Sequence, residues 1–264
     1  MRIPFTQVDA FADAPFAGNP AAVMPLSAWL DDVVLLRIAQ ENNLSETAFL
    51  LPDASGEADF ELRWFTPGGE VALCGHATLA SGHVALRGVT ALDRVRFRTR
   101  QAGVLEVARD GTGYRMALPS WSPAAKDLPG VVAALGVEAV ETLWHDKGSA
   151  VAVLADEAAV LAAAPDMKAL AAEGPLVVIV TARGGATDVV SRVFVPAFGI
   201  DEDPVTGSAH AVITPYWTGV LGRDEFTARQ ASARGGRLRC SLKGDRVVLG
   251  GACVTVIEGT FLLP

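Results

Sequence analysis

The pattern of apolar and polar positions along the chain predicts two helices that are buried on every side. Gly75–Leu86 and Gly207–Thr218 are rich in alanine and other apolar residues around the whole helical circumference. A helix at the surface keeps a polar face, whereas one that is apolar all round is normally buried. Each segment opens with a glycine followed by a small or polar residue, so its first backbone N–H groups can face an anion.

Short apolar runs bounded by turn residues surround both helices and are typical of β-strands. In the first half the predicted strands are Phe5–Phe11, 21–25, Thr47–Leu51, Phe60–Phe65, 95–98, 104–108 and 114–118. The second half has a similar order of runs. Amphipathic patterns predict an outer helix ending at Asn42 and another over Glu157–Ala172. The sequence therefore predicts an α+β fold in which each half is a mixed β-sheet wrapped around a central α-helix.

The second half of the chain repeats the first about 130 residues later. Four features recur in the same order: a Gly-led turn, an Arg-x-Phe-x-Pro segment, the glycine that opens the central helix, and a Ser/Thr-led turn. They begin at Gly18, Arg63, Gly75 and Thr99 in the first half and at Gly148, Arg192, Gly207 and Ser232 in the second. This repeat predicts two pseudo-symmetric domains, residues 1–120 and 121–255, followed by a final strand at 256–264.

Composition argues against several classes of protein. The 264 residues carry a formal net charge of −8 and no basic tract, which disfavours nucleic-acid binding. No apolar run reaches the length of a membrane span. The three cysteines show no Cys-x-x-Cys spacing, which indicates a reduced, cytoplasmic protein. His76 and His83 share a helix face but have no third ligand nearby in the sequence, so no metal site is predicted.

Two acidic positions break the repeat. Ser45-Glu46 aligns with residues 174–176, which carry no acid, and Asp203 lies in an acidic insertion, residues 201–203, without a counterpart. A duplicated scaffold needs neither acid in order to fold, so Glu46 and Asp203 are candidate functional residues. The alternatives are that Glu46 is an ordinary surface residue and that Asp203 caps the second central helix.

A set of motifs spread over most of the chain carries a family resemblance. In order they are Asp9-Ala-Phe with Gly18-Asn-Pro, Asn43-Leu-Ser-Glu-Thr47, Phe65-Thr-Pro, Cys74-Gly-His-Ala-Thr78 and Asp203-Pro-Val-Thr-Gly-Ser208. Together they resemble the PhzF-type isomerases of phenazine biosynthesis, which share their fold with diaminopimelate epimerase. The resemblance implies an active site in the cleft between two domains, a final strand at 256–264 that returns to the first domain, a homodimer, and no metal or organic cofactor.

The resemblance also implies roles for individual residues. Glu46 would be the general acid/base, and His76 and Asp203 would be further catalytic residues. The candidate substrate-binding residues are Asn19, Ser45, Gly75, Gly207 and Ser208.

The chemistry that suits these residues is proton transfer on a small anionic substrate. A single carboxylate can remove a proton from one carbon and return it at another. Helix N-termini can hold a substrate carboxylate and stabilise the charge that develops. We therefore expect a cofactor-independent isomerase of a small carboxylate-bearing metabolite. The alternatives are a dehydratase or lyase, an epimerase of an amino- or imino-acid-like substrate, and a small-anion-binding protein without catalysis.

Cys74 raises a rival mechanism, because related racemases place one cysteine on each side of the substrate. The position equivalent to Cys74 in the second half is Thr206, and a hydroxyl is too weak an acid to replace a thiol. The sequence therefore argues against two-thiol racemisation and favours Cys74 as a buried packing residue. We expect Cys74→Ala to retain most turnover.

Overall fold

The chain folds into two units, each of which is a set of paired strands with helices packed against it. The computed structural model describes residues 1–87 and 91–263. The first unit comprises residues 1–117 together with the chain from residue 250 onward, and the second comprises residues 118–249. The sequence placed these boundaries at 120 and 255, so the chain returns to the first unit a few residues earlier than predicted. Pro264 of the predicted last strand lies outside the described residues.

The elements within the described residues follow in chain order. The strands are β1 (Arg2–Ala10), β2 (Asn19–Pro25), β3 (Glu46–Pro52), β4 (Phe60–Thr66), β5 (Gly69–Val71), β6 (Arg94–Thr99), β7 (Val104–Asp110), β8 (Gly113–Pro119), β9 (Ala124–Ala125), β10 (Glu141–His145), β11 (Ser149–Val153), β12 (Val177–Arg183), β13 (Val189–Val195), β14 (Ile200–Glu202), β15 (Glu225–Gln230), β16 (Gly236–Lys243), β17 (Arg246–Gly251) and β18 (Cys253–Leu262). The helices are α1 (Asp32–Asn42), α2 (Gly75–Arg87), α3 (Pro129–Leu135), α4 (Glu157–Ala162), α5 (Met167–Ala172) and α6 (Gly207–Leu221), and a 3₁₀ helix spans Pro196–Phe198.

The two units have the same order of strand pairing. In the first, β2 pairs in parallel with β3, β3 antiparallel with β4, and β4 in parallel with β6. In the second, β11 pairs in parallel with β12, β12 antiparallel with β13, and β13 in parallel with β15. The mixture of parallel and antiparallel pairs confirms the predicted α+β class, and its recurrence confirms the duplication.

An arginine repeats with its surroundings in both units; Arg63 is buried and Arg192 is partly buried. Arg63 of β4 forms a bidentate pair with Glu70 of β5, and Arg192 of β13 forms the same pair with Glu202 of β14. Each guanidinium also lies 5.0 Å from the ring centroid of the phenylalanine two positions further along its strand. Glu202 therefore has a counterpart in the first unit, contrary to the prediction that residues 201–203 have none. The three added residues lie before Glu202, around the 3₁₀ helix, and Asp201 and Asp203 remain without an acidic equivalent.

Helices cover both faces of each unit's strands. In the first unit, Met24 and Phe49 pack with α1, while α2 contacts β1, β2 and β3. In the second, Val180 packs with α3, α4 and α5, whereas the next residue, Thr181, accepts a hydrogen bond from Trp217 of α6. Because successive strand residues point to opposite faces, α2 and α6 lie on the face away from the outer helices. No helix within the described ranges is long and apolar enough to cross a membrane.

The predicted helix over Glu157–Ala172 is wrong as a single element. The structure has two short helices, α4 and α5, on either side of Pro165. Proline lacks a backbone N–H and disfavours the helical conformation of the residue before it, so an alanine-rich run cannot continue through it. The second helix restarts because Asp166 accepts a hydrogen bond from the backbone N–H of Ala169.

Burial of His210 is expected to make the stability of the protein depend on pH. The ring is fully buried on α6, and burial lowers its pKa from 6.5 to about 4. As the pH falls from 6.5 to about 4, the unfolded chain takes up a proton that the folded chain does not. The free energy of unfolding therefore falls by up to about 3 kcal/mol over this window. Urea unfolding at a series of pH values measures the loss, which should be smaller in His210→Gln. An equal loss in both proteins would contradict the prediction.

Candidate active site

Glu46 is the first residue of β3, and its position follows from the strand register. It pairs with Ala21 of the neighbouring parallel strand, and Asn19 lies two residues before Ala21 at the start of β2. Since side chains alternate, Asn19, Ala21 and Glu46 share one face, opposite to the face on which Phe49 packs against α1. Asn19 is fully buried, and the Glu46 side chain is 16% exposed. Glu46 is thus not the ordinary surface residue that the sequence left as an alternative.

The start of α2 places a histidine beside this carboxylate. His76 is the second residue of the helix, its side chain is 5% exposed, and its Nε2 lies 3.0 Å from Glu46 Oε2. Both atoms are shielded from solvent, yet their alignment does not meet hydrogen-bond geometry, and neither has another hydrogen-bond partner among the described residues. Because both atoms are buried without a hydrogen-bond partner, each can still form a hydrogen bond with a third group, such as a bound ligand.

The other ring nitrogen of His76 contacts a cysteine. Cys74 Sγ lies 3.5 Å from His76 Nδ1. Burial, reinforced by the negative charge of Glu46, raises the pKa of the Cys74 thiol to about 11. Burial lowers the pKa of His76, but Cys74 and Glu46 together raise it well above its usual value. Because a thiol with this pKa is neutral at pH 7, the effect of the Glu46 carboxylate is the one that persists there, and it favours the protonated form of His76.

Cys74, His76 and Glu46 form a chain and do not converge on one point. One ligand atom from each lies within 4.8 Å of the others, which is close enough to raise the question of a metal ion. However, the sulfur contacts Nδ1 and the carboxylate contacts Nε2, and the lone pairs of these two nitrogens point away from each other. An ion bound to either nitrogen would reach all three residues only after side chains moved. The absence of a metal and of an organic cofactor stays a prediction.

The second unit carries the other candidate residues around the start of α6. Asp203 follows β14, and its backbone N–H donates to Val193 of β13. Its carboxylate accepts a short hydrogen bond from the Thr206 hydroxyl, and the helix begins after Thr206 with Gly207 and the half-buried Ser208. The Thr206 hydroxyl therefore stabilises the turn that contains Asp203.

A glutamine that the sequence did not single out fixes this turn. Gln230, at the end of β15, is fully buried. Its Oε1 accepts a hydrogen bond of 2.8 Å from the Thr206 backbone N–H, and its Nε2 donates to the Asp203 carbonyl at 2.6 Å and to Thr206 Oγ1 at 3.2 Å. A glutamine at a strand end carries no signal of burial in the sequence, since its partners come from a loop more than twenty residues away.

The structure corrects the predicted counterpart of Glu46. The two equivalent arginines described above pair across the strands with Phe49 and Val180, respectively. Counting back three residues from each shows that Val177, and not residues 174–176, occupies the place of Glu46 in the second unit. The predicted asymmetry holds, because this position carries no acid. Of the candidates, the first unit holds Asn19, Ser45, Glu46, Gly75 and His76, and the second holds Asp203, Gly207 and Ser208.

Comparison with known proteins places this chain among one set of relatives. The sequence model of the family described as "Phenazine biosynthesis-like protein" matches residues 8–259. A curated protein from Pseudomonas aeruginosa named an uncharacterized isomerase is 47% identical, and the match covers 100% of both chains. The crystal structure of a PhzF-family phenazine biosynthesis protein from Enterococcus faecalis is 43% identical, with a TM-score of 0.92 over 100% of both chains. A hydroxyproline epimerase from Agrobacterium vitis, only 14% identical with a TM-score of 0.64, covers 98% of this chain and 92% of its own and shares the fold alone.

Proposed function

Since this chain belongs to the PhzF family of phenazine biosynthesis-like proteins, we propose that it is a cofactor-independent isomerase of a small carboxylate-bearing metabolite. The relatives named as isomerases support the class of reaction. The observation that carries the proposal is the 3.0 Å contact between Glu46 Oε2 and His76 Nε2, two buried acid–base atoms that have no hydrogen-bond partner among the described residues.

The proposed reaction moves one proton along the substrate. The Glu46 carboxylate removes a proton from one carbon, and the His76 imidazolium gives its Nε2 proton to a second carbon. The proton now on Glu46 then crosses the 3.0 Å contact to His76, which restores the starting ion pair. The substrate loses one proton and gains one, so its composition is unchanged and the reaction is an isomerisation.

Substrate binding is proposed to involve the start of a central helix. Unpaired backbone N–H donors and the helix dipole both favour an anion there, such as the substrate carboxylate. Asp203 is proposed as a further acid–base residue that contacts the substrate. The binding residues are Asn19, Ser45, Gly75, Gly207 and Ser208.

Cys74 and Thr206 argue against one alternative enzymatic reaction, two-thiol epimerisation. Two-thiol epimerisation needs a cysteine that ionises readily, yet burial holds the pKa of Cys74 near 11. The equivalent position holds Thr206, whose hydroxyl is engaged with Asp203. A dehydratase would need only one base and so remains the second enzymatic candidate.

A metabolite screen in D2O tests the proposal. Small carboxylates are incubated with the protein, and proton NMR is used to detect loss of a C–H signal that depends on the enzyme. An isomerase gives a product of the same composition apart from deuterium, whereas a dehydratase gives a product lighter by one water. Binding without exchange would instead support an anion-binding protein and contradict the proposal.

The assembly is part of the same proposal. The family resemblance favours a homodimer. The cysteine spacing favours a cytoplasmic protein, and the net charge and the short apolar runs favour one without a nucleic-acid or membrane partner. Light scattering at micromolar concentration should give the mass of two chains of 27.5 kDa. A mass of one chain would contradict the proposed homodimer but would leave the proposed isomerase reaction unaffected.

A further inference from the structure

The proposed proton transfers leave one polar contact of the site without a role, the approach of Cys74 Sγ to His76 Nδ1 at 3.5 Å. We propose that Cys74 is a positioning residue, which keeps one proton of His76 on Nδ1 and so leaves Nε2 as the nitrogen that exchanges protons with Glu46. This inference rests on the proposed function, because it specifies which nitrogen of His76 exchanges protons with Glu46 in the proposed reaction.

The argument starts from the hydrogen-bonding capacity of a histidine ring. A charged imidazolium carries a proton on each nitrogen, so any group facing Nδ1 at this stage must accept a hydrogen bond. Within the described part of the chain the side chain in contact with Nδ1 is that of Cys74, and a neutral thiol sulfur is a weak acceptor. His76 and Cys74 are only 5% and 6% exposed, so water competes little for this contact.

The neutral ring is the state in which the contact matters. After Nε2 gives up its proton, an imidazole keeps one N–H, and which nitrogen keeps it is set by the hydrogen bond at the other position. With Nδ1–H held against sulfur, the lone pair is left on Nε2, 3.0 Å from the newly protonated Glu46. Without the sulfur, the ring is free to shift its proton to Nε2, where it would block the return of the Glu46 proton.

The second unit contains an internal reference for this tautomer. His210 Nδ1 lies 2.8 Å from the carbonyl oxygen of Thr206, the residue at the position equivalent to Cys74. A carbonyl can only accept, so a neutral His210 must carry its proton on Nδ1. Burial keeps this histidine neutral at pH 7, since its pKa is about 4. Its spectrum therefore shows what the neutral Nδ1–H form looks like in this protein.

Long-range 1H–15N NMR of 15N-histidine-labelled protein tests the proposal without any substrate. The chain has only four histidines, which single substitutions can assign. Replacing Glu46 by Ala removes a charge that raises the pKa of His76 and brings the neutral ring into an accessible pH range. In that background neutral His76 should show the His210 pattern, with a proton on Nδ1. Adding Cys74→Ala should move most of the population to Nε2–H, while His210 stays unchanged. Cys74→Ser, which restores an acceptor, should recover part of the Nδ1–H form.

Two spectroscopic results would overturn the proposal: neutral His76 with its proton on Nε2 while Cys74 is intact, or a tautomer that Cys74→Ala leaves unchanged. In turnover, Cys74→Ala should lose less than about tenfold, below the 10²–10⁴-fold typical of removing an acid–base residue. A larger loss would make the thiol a proton carrier and also contradict a positioning role. Because the spectra need no substrate, failure here is distinct from failure of the isomerase proposal, which the D2O screen decides.

Discussion

Replacing Glu46 by Gln is expected to lower the rate of proton transfer on the substrate by roughly 10²–10⁴-fold, the span typical of losing general acid–base catalysis. The amide keeps the shape of the side chain at the start of β3 but cannot accept the proton. Binding should change much less, because the anion is held by backbone N–H groups that the substitution leaves in place. Deuterium incorporation measured by NMR gives the rate, and calorimetric titration gives the dissociation constant.

Two further variants sharpen this experiment. Glu41→Gln removes an exposed carboxylate from the end of α1 and should leave both quantities unchanged. Asp203→Asn should weaken binding as well as turnover, because Asp203 is proposed to contact the substrate. A Glu46→Gln protein that exchanges at the wild-type rate would rule out the assigned base, although the fold and the family would stand.

The largest effect on stability is expected for Gly18→Ala. Gly18 has a φ of +66°, and a Cβ added there would lie 2.2 Å from the carbonyl oxygen of Ala10. A backbone carbonyl cannot rotate away as a flexible side chain would, so the turn between β1 and β2 must distort. We expect a loss of roughly 3–5 kcal/mol in the free energy of unfolding. Because Asn19 follows directly, the distortion would also shift one of the proposed substrate-binding residues.

Gly56→Ala is the matched control for this prediction. Gly56 also has a positive φ, +79°, but nothing lies within 4 Å of the added Cβ. It should lose only the backbone penalty of a left-handed conformation, about 1–2 kcal/mol. Urea unfolding of both variants separates the close contact from the backbone strain. Equal losses would show that the approach of Ala10 costs nothing.

The elements that the sequence predicted best are those with local signals. Both central helices begin at the predicted glycines, Gly75 and Gly207, because a glycine and a polar residue before an alanine-rich apolar segment mark a helix start within a few residues. The end of α1 at Asn42 was also predicted, and the next residue, Asn43, adopts the left-handed conformation that terminates a helix. The error at Pro165 arose where alanine content was weighed above a residue that interrupts backbone hydrogen bonding.

The parts that escaped prediction depend on contacts between distant residues. The sequence marked Glu46 and His76 separately, but their 3.0 Å approach follows from how α2 packs on β2 and β3. Cys74 was expected to be a packing residue, and its contact with Nδ1 of His76 depends on the rotamer of the ring. Gln230 looked like any polar residue at a strand end. Side-chain direction and long-range register are set by tertiary packing, which a linear pattern records only indirectly.

The duplicated arginine pairs also matter for protein engineering. They show that the two units share one backbone framework but carry different side chains at equivalent positions. Val177 and Ser208 of the second unit occupy the positions of Glu46 and His76 in the first. The second unit therefore has the same backbone positions but lacks the two acid–base side chains. Glu and His can be introduced at those two positions in a protein whose original pair has been removed. Such a variant would test whether the backbone framework alone can re-create an acid–base pair. It would also show on which face of a substrate that pair acts.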